Sequence, residues 1–259
     1  MFMLEKLLQE IEKLANPTKA KNHYRFFKTG KGEYGEGDKF YGLTVPEQRT
    51  LSKKYKNLSL EELQKLIKSP WHEHRSLALM ILTLQYPKAD EKRKKIISDF
   101  YLKNAKRINN WDLVDISAPK IPGEYLFDKN KAILYKFAKS DNLWERRIAM
   151  MSTYGFIKKN KYKDALTIAE ILLNDEHDLI HKAVGWMLRE IGKRDQEVEE
   201  RFLKKYYHIM PRTMLRYAIE KFEEKKRRWY LESSRYDKNS KNKILDSKKV
   251  QNLKSKIII

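Results

Sequence analysis

The sequence predicts an all-α protein, a HEAT- or armadillo-like helical-repeat solenoid with one concave binding face. Two observations predict this class. Stretches rich in Leu, Ile, Glu, Lys and Arg meet few helix breakers, because the 259 residues include only 9 glycines and 7 prolines. The breaks also give helix pairs of about 35–45 residues, which is the period of such repeats. Stacked pairs bury a continuous core and present one curved surface.

The predicted helices follow one another with short breaks. An apolar stripe predicts the first helix over Leu4–Leu14, which ends near Pro17, and Gly30–Gly42 predicts one long loop. Pro46 suits the first turn of the next helix, and Ser59 with Glu62 matches a capping box. Periodicity predicts further helices over Trp71–Gln85, Ala89–Lys106, Trp111–Ala118, Lys129–Lys139, Leu143–Lys158, Tyr162–Leu173, Leu179–Ile191, Glu197–Tyr207 and Thr213–Trp229.

Three helix starts resemble one another. They read SPWHEHR from Ser69, SDNLWERR from Ser140 and NDEHDLI from Asn174. After its first turn, each helix has a small apolar residue that permits close packing: Ala78, Ala149 and Ala183. The first two starts lie 71 residues apart, which is consistent with two repeat units.

The formal net charge of +21 indicates a polyanionic partner. Residues 225–259 hold 12 Lys and Arg against 3 Asp and Glu, or +9, which leaves +12 for residues 1–224. We predict one solenoid domain over residues 1–232 and a flexible basic tail over residues 233–259. The alternative is that the lysines only decorate the surface and serve no partner.

Composition also excludes several classes of protein. The chain has no cysteine, which removes disulfides, thiolate metal sites and cysteine nucleophiles. The N-terminus lacks the apolar segment of a signal peptide, and no run approaches the roughly 18 apolar residues of a membrane span. We expect a soluble, cytoplasmic protein, associated with the nucleoid if its polyanion is DNA.

The most informative stretch is Asn110–Asp115. It places Trp111 and Asp115 four residues apart on a short helix, one turn apart on the same face. An aromatic ring beside a carboxylate suits a sugar on which positive charge develops, and in a basic chain that sugar belongs first to a nucleic acid. The alternative makes Trp111 a core residue and Asp115 an ordinary surface charge.

Cations accompany tryptophan in other segments. Trp186 falls beside the apolar stripe of its helix, aligned with Lys182 and Arg189, as suits a surface that meets sugar and phosphate. Arg146 and Arg147 lie near a helix start, where one of them can contact a phosphate or carboxylate, or form a surface ion pair. Neighbouring solenoid helices would bring these segments to one concave surface.

Two other motifs are poor candidates for binding sites. Gly30–Gly35 matches G-x-G-x-x-G, but it lacks the preceding strand and following helix of a dinucleotide site, and acidic neighbours would repel a pyrophosphate. His177 and His181 have a spacing that can hold a metal, but no further ligand cluster accompanies them. We expect a structured loop and surface histidines, without a metal.

Three segments together resemble the AlkD-type DNA alkylation-repair glycosylases. They are Asn110–Asp115, Asn142–Ala149 and Lys182–Glu190, in the same order and at similar spacing, and the resemblance covers roughly residues 15–225. It implies a HEAT-like solenoid that grips duplex DNA and excises cationic N-alkylated purines, chiefly 3-methyladenine and 7-methylguanine, without needing to extrude the base. The Gly30–Gly42 loop looks longer than in that family, and the basic tail lies outside the resemblance.

The resemblance also implies residue roles. Trp111 and Asp115 match the family's catalytic pair, Trp186 matches its second cleft tryptophan, and Arg147 matches an arginine that we expect to contact phosphate. Neighbouring cations are expected to add DNA contacts: Arg146, Lys182 and Arg189. We expect a monomer that needs no cofactor, metal or protein partner.

Three alternatives stay open at the level of sequence. A non-catalytic solenoid that recognises DNA shape would bind without forming abasic sites. A protein-binding scaffold would bind DNA with little salt dependence, because it would not neutralise several phosphates. RNA binding is the weakest alternative, since the sequence has no RRM or KH signature.

Overall fold

The computed structural model describes residues 3–233, and within that range the chain forms helices and no β-strand. The predicted all-α class is confirmed. The α-helices are α1 (Met3–Leu14), α2 (Pro17–Phe26), α3 (Val45–Lys54), α4 (Leu60–Lys68), α5 (His72–Gln85), α6 (Glu91–Lys103), α7 (Trp111–Ser117), α8 (Pro122–Tyr125), α9 (Ala132–Ala138), α10 (Leu143–Ser152), α11 (Tyr154–Ile157), α12 (Lys163–Ile171), α13 (Asp178–Gly192), α14 (Gln196–Tyr206) and α15 (Arg212–Ala218). A further helical stretch covers residues 224–233. The predicted tail, apart from residue 233, lies outside the described residues.

Capping side chains explain where the early helices begin. The capping box of Ser59 and Glu62 is confirmed, with bonds of 2.8 and 3.2 Å between each side chain and the other residue's backbone N–H. The end of the first predicted helix is confirmed, since α1 ends at Leu14, before Pro17. Sequence analysis missed α2, which begins at Pro17 because the Asn16 side chain accepts a bond from the Lys19 N–H.

One predicted helix divides where small and hydroxylated residues meet. We expected one helix over Leu143–Lys158, but α10 ends at Ser152, whose hydroxyl donates back to the Ile148 carbonyl oxygen at 2.6 Å. Gly155 then lies so close to Gly123 that a Cβ atom on it would stand 2.5 Å from the Gly123 carbonyl oxygen. The break therefore lets α11 approach α8 at backbone distance.

Two compact units divide the chain, Met1–Lys159 and Asn160–Ile259. In the first, α5 packs on α3, α4 and α7, while α10 packs on α7 and α9. In the second, α13 packs on α12, α14 and α15. The three small residues of the repeated phrases are fully buried: Ala78, Ala149 and Ala183. The single-domain boundary and the concave face stay predictions.

Within residues 3–233, no helix combines the length and the hydropathy that crossing a bilayer requires.

Candidate active site

The first turn of α7 holds Trp111 against an aromatic cluster. The buried Asn110 side chain accepts the Trp111 N–H at 2.9 Å and so begins the helix at the tryptophan. The indole stacks on Phe27, with ring centroids 5.8 Å apart, and meets Phe26 edge-on at 5.6 Å. Trp111 is half-buried, so the core supports the ring and also leaves part of it open to a ligand.

Asp115 lies one turn further along α7 and pairs with Arg147 of α10. Arg147 donates from Nε to Oδ1 at 3.0 Å and from an Nη atom to Oδ2 at 2.8 Å. The side chain of Asp115 is 16% exposed and that of Arg147 is 5% exposed. A two-bond fork of this kind fixes the plane of the carboxylate as well as its position. The packing of α7 on α10 therefore orients Asp115.

Burial and charge act in opposite directions on this carboxylate. Desolvation raises the pKa of Asp115, the Arg147 guanidinium opposes that rise, and the charge of Asp112 adds to it. Burial is the largest of these effects, so the pKa of Asp115 is raised overall, while the hydrogen bonds that both oxygens accept from Arg147 favour the ionised form. A carboxylate that is ionised in a partly dry site interacts strongly with positive charge beside it, because little water screens it.

A buried chain of charges lies next to Trp111, and sequence reasoning missed it. His72 contacts Asp112 through Nε2 at 2.9 Å and Asp38 through Nδ1 at 3.2 Å, while Arg75 donates to Asp38 at 2.7 Å. Burial disfavours the imidazolium, but Asp112 and Asp38 outweigh it and raise the pKa of His72 to about 9. This chain ties the first turn of α7 to α5 and to the glycine-rich loop.

Acidic side chains of the glycine-rich loop accept hydrogen bonds from the loop's own backbone N–H groups. Glu33 accepts the Gly30 N–H and Glu36 accepts the Gly32 N–H, each at 2.8 Å. The segment connects α2 to α3 through turns, as expected for a structured loop and unlike a phosphate-binding turn between strand and helix. Further along, the buried Glu73 carboxylate accepts three consecutive backbone N–H groups at 2.8–3.2 Å, those of residues 41–43.

The two adjacent arginines have different surroundings. Arg146 donates to the carbonyl oxygens of Ser140 and Asp141, each at 2.9 Å, and so closes the turn before α10. Arg147 is 4% exposed and directs two donors at Asp115. Of the two outcomes left open for this pair, Arg147 adopts the carboxylate contact. A phosphate contact from either arginine stays a prediction.

The second unit carries Trp186 on α13. The ring is half-buried, and its Nε1 donates to Glu190 at 3.3 Å. Both cations expected beside it have carboxylate partners, since Lys182 pairs with Asp178 at 2.6 Å and Arg189 pairs with Glu220. The catalytic role of Trp186 and the DNA contacts of the two cations stay predictions.

The two histidines of the same segment support the backbone. His177 caps α13 by accepting the Leu179 N–H at 3.1 Å, and His181 contacts the Asp175 carbonyl oxygen. Across residues 3–233, no group of three or more His, Asp or Glu side chains has the arrangement of a metal site.

Comparison with known proteins assigns the chain to a family. A solved structure from Enterococcus faecalis, described as a predicted DNA alkylation repair enzyme, superposes with a TM-score of 0.64 at 19% identity, covering 81% of this chain and 97% of that chain. That likeness supports the helical-repeat fold. No curated protein matches the sequence. The family model for "DNA alkylation repair enzyme" matches residues 7–222. The chain belongs to the DNA alkylation repair enzyme family.

Proposed function

We propose that this protein is a DNA glycosylase that hydrolyses the N-glycosidic bond of cationic N-alkylated purines in duplex DNA, the first step of base excision repair. The substrates we assign are 3-methyladenine and 7-methylguanine. One observation carries the proposal: the oriented, largely buried Asp115 carboxylate lies on the same helix face as the half-open ring of Trp111.

The chemistry suits a site built around a carboxylate, because the leaving base needs no proton from an acid. An alkylated N3 or N7 makes the purine cationic, so the base leaves with the electron pair of the C1′–N bond and becomes neutral without being protonated. Positive charge then develops on C1′ and the ring oxygen of the deoxyribose. The Asp115 carboxylate stabilises that charge. A water oxygen bonds to C1′ and gives its proton to Asp115, which leaves an abasic site.

Arg147 acts in this scheme as a positioning residue. Two of its five N–H donors hold Asp115, so the carboxylate cannot rotate away from the sugar. The phosphate contact that the resemblance implies for Arg147 would set the DNA backbone at a fixed distance from Asp115. The Arg147–Asp115 pair would therefore connect binding of the DNA backbone to hydrolysis of the glycosidic bond.

The tryptophans provide the surface that packs on DNA. Trp111 has an aromatic support behind it and an open side in front, which suits a deoxyribose ring. We assign Trp186 the same kind of contact with the backbone, made from the second unit. Because the leaving group is already charged, none of these steps requires a metal, nucleotide or redox cofactor. We further propose that the protein works as a cytoplasmic monomer on nucleoid DNA.

The test is release of free base from a duplex that contains 7-methylguanine, read by chromatography and by alkali-labile strand breaks. Asp115→Asn removes a charge and little volume, so we expect about 10²–10³-fold slower release with DNA binding retained. The matched control is Asp99→Asn, because Asp99 is an exposed aspartate on α6.

The same assay separates the alternatives. Binding without abasic sites would indicate a shape-recognising solenoid, and an affinity that barely changes with salt would indicate a protein scaffold. Release that survives in both Asp115→Asn and Trp111→Ala would overturn the residue assignment.

A further inference from the structure

The proposed chemistry gives no role to the buried chain of charges at His72, yet this chain contacts the helical turn that carries the chemistry. Nε2 of His72 lies 2.9 Å from an oxygen of Asp112 in the first turn of α7. Asp112 stands between Trp111 and Asp115 in the sequence. A bond to Asp112 therefore fixes the turn on which both candidate catalytic side chains depend.

A second connection runs through aromatic rings. The imidazole of His72 packs against the rings of Phe27 and Phe40, with ring centroids 4.6 and 5.0 Å away. Phe27 also stacks on the indole of Trp111, with centroids 5.8 Å apart. Close-packed rings transmit a displacement, because the interior has no free space to absorb it. The position of His72 therefore affects the ring that supports Trp111.

The geometry at His72 requires its charged form. A protonated imidazole donates from both nitrogens, whereas a neutral imidazole has only one donor for the two carboxylates beside it. The His72 side chain is 3% exposed, and Asp38 contacts its Nδ1 at 3.2 Å. Burial lowers the pKa of His72, but the carboxylates of Asp112 and Asp38 raise it to about 9. At neutral pH both carboxylates therefore receive a hydrogen bond from the ring.

Other charged and titratable groups surround the imidazole. Arg75 of α5 donates to Asp38 at 2.7 Å, and its charge opposes that of His72. On α2, His23 packs on the same two phenyl rings and lies 3.8 Å from the Glu73 carboxylate of α5. Three more cations line the cavity that His72 also lines: Arg49, Lys53 and Lys120. Because nearby cations disfavour an imidazolium, the charged form depends on the two aspartates of the chain.

We infer that His72 is a positioning residue for hydrolysis of the glycosidic bond, whose imidazolium fixes the first turn of α7 so that Trp111 and Asp115 meet the same sugar. It acts through Asp112 and Phe27 and not by contact with the substrate. Loss of its proton removes one of the two bonds and releases the turn. This inference rests on the proposed function, since that function assigns the sugar contacts.

The first test is single-turnover release of 7-methylguanine by His72→Gln, with saturating protein from pH 6 to 10 and folding checked by circular dichroism at each pH. At pH 7 we expect release about 10–100-fold slower than in the wild type with duplex affinity retained, because a small misplacement of reacting groups affects rate more than binding. The ratio of the two rates should fall toward one as the pH rises through the pKa of His72. Ionisation of the substrate affects both proteins and cancels in the ratio.

The matched control is His74→Gln. His74 is also a buried histidine of α5, and its Nδ1 contacts the Ser69 hydroxyl at 2.8 Å. Burial lowers the pKa of His74 to about 4, so this residue stays neutral over the whole pH range of the assay. The control therefore measures the cost of losing a buried imidazole that has no contact with α7 to maintain.

A conservative substitution tests the same contact from α7. Asp112→Asn keeps the volume of the side chain and removes the carboxylate that most strongly favours the His72 imidazolium. The imidazole should then lose its proton at lower pH. We expect the fall in release at alkaline pH to move to lower pH than in the wild type. This variant decides the inference if His72→Gln does not fold, and an unmoved fall would overturn it.

The second experiment is independent of activity and uses ¹⁹F NMR of the full-length protein labelled with 5-fluorotryptophan. The Trp111 resonance is assigned with Trp111→Phe, and the resonance of Trp186, in the second unit, is the reference. In the wild type we expect the Trp111 resonance to move as the pH rises from 7 to 10. In His72→Gln it should be displaced at pH 7 and should no longer titrate.

Each outcome decides the inference. Slower release with retained affinity, a rate ratio that falls with pH and a displaced Trp111 resonance support it. Equal slowing in His72→Gln and His74→Gln, or the same Trp111 resonance in wild type and His72→Gln at every pH, overturns it. Release by the wild type with a rate ratio of one at every pH rejects the role of His72 and keeps the proposed function. No release by the wild type rejects the proposed function, and the Trp111 resonance then decides whether His72 fixes the turn.

Discussion

Arg147→Gln tests how the protein sets the proton affinity of its candidate catalytic carboxylate. Burial raises the pKa of Asp115 and the Arg147 guanidinium opposes that rise. An adjacent arginine favours the ionised form of an aspartate, so its removal should raise the pKa of Asp115 further. Only the ionised form stabilises the sugar cation. The acidic limb of base release should therefore move to higher pH.

The burial of the ion pair gives the size of the energetic change. Breaking a buried ion pair by removing one partner costs about 3–5 kcal/mol of folding free energy. Protonation of Asp115 limits that cost, because it removes the buried charge that has lost its partner. We therefore expect Arg147→Gln to unfold at lower urea concentration and to recover part of its stability when the buffer is acidified.

The assay is single-turnover release of 7-methylguanine from pH 5 to 9 with saturating protein, corrected for spontaneous depurination. Arg146→Gln is the control, because Arg146 donates to the backbone carbonyl oxygens of Ser140 and Asp141. We expect this substitution to weaken DNA binding without moving the acidic limb. An unchanged limb in Arg147→Gln, or a wild-type limb retained in Asp115→Asn, would assign the titration to another group and refute the reasoning.

Three further predictions concern folding, each measured by urea unfolding. The folded-state pKa of His72, about 9, exceeds the ordinary value of 6.5. His72 therefore contributes about 3 kcal/mol to the free energy of unfolding below pH 6.5, and this contribution is lost as the pH rises through 9. His72→Gln should flatten that decline, and an equal decline in the variant would contradict the prediction. Gly155→Ala should cost about 1–3 kcal/mol, because the methyl group would overlap the Gly123 carbonyl oxygen, and an unchanged midpoint would show that α11 moves freely. Glu73→Gln replaces one accepting carboxylate oxygen with an NH₂ group that cannot accept the backbone N–H groups, so it should lower the free energy of unfolding by about 1–3 kcal/mol. An unshifted midpoint would disprove this prediction.

Local patterns predicted much of the fold because helix signals are short in range. The capping box at Ser59 and the fully buried small residue Ala149 follow from neighbours within one or two turns. The helix after Pro17 was missed. A proline that follows one helix can also begin the next, and here α2 forms because the Asn16 side chain accepts the Lys19 N–H.

Only part of the candidate site could be predicted, because local patterns do not specify contacts between helices. The spacing of Trp111 and Asp115 follows from the helical period, whereas the partner of Arg147 depends on how α10 packs on α7. Adjacent residues on a helix point about 100° apart. The period therefore says that Arg146 and Arg147 differ, but not which of them faces α7. The contact between Asp38 and His72 spans 34 residues, and no local pattern encodes it.

The buried chain of charges around His72 has a consequence for fragments of this protein. A fragment that ends between residues 75 and 111 would keep Asp38 and Arg75 but would lack the Asp112 oxygen that contacts Nε2 of His72. Without Asp112, the largest attraction that offsets the cost of burying the His72 imidazolium is lost. Packing the loop against α5 would then bury a charge that is poorly compensated. During synthesis, this layer of the first unit therefore has to wait until α7 has left the ribosome.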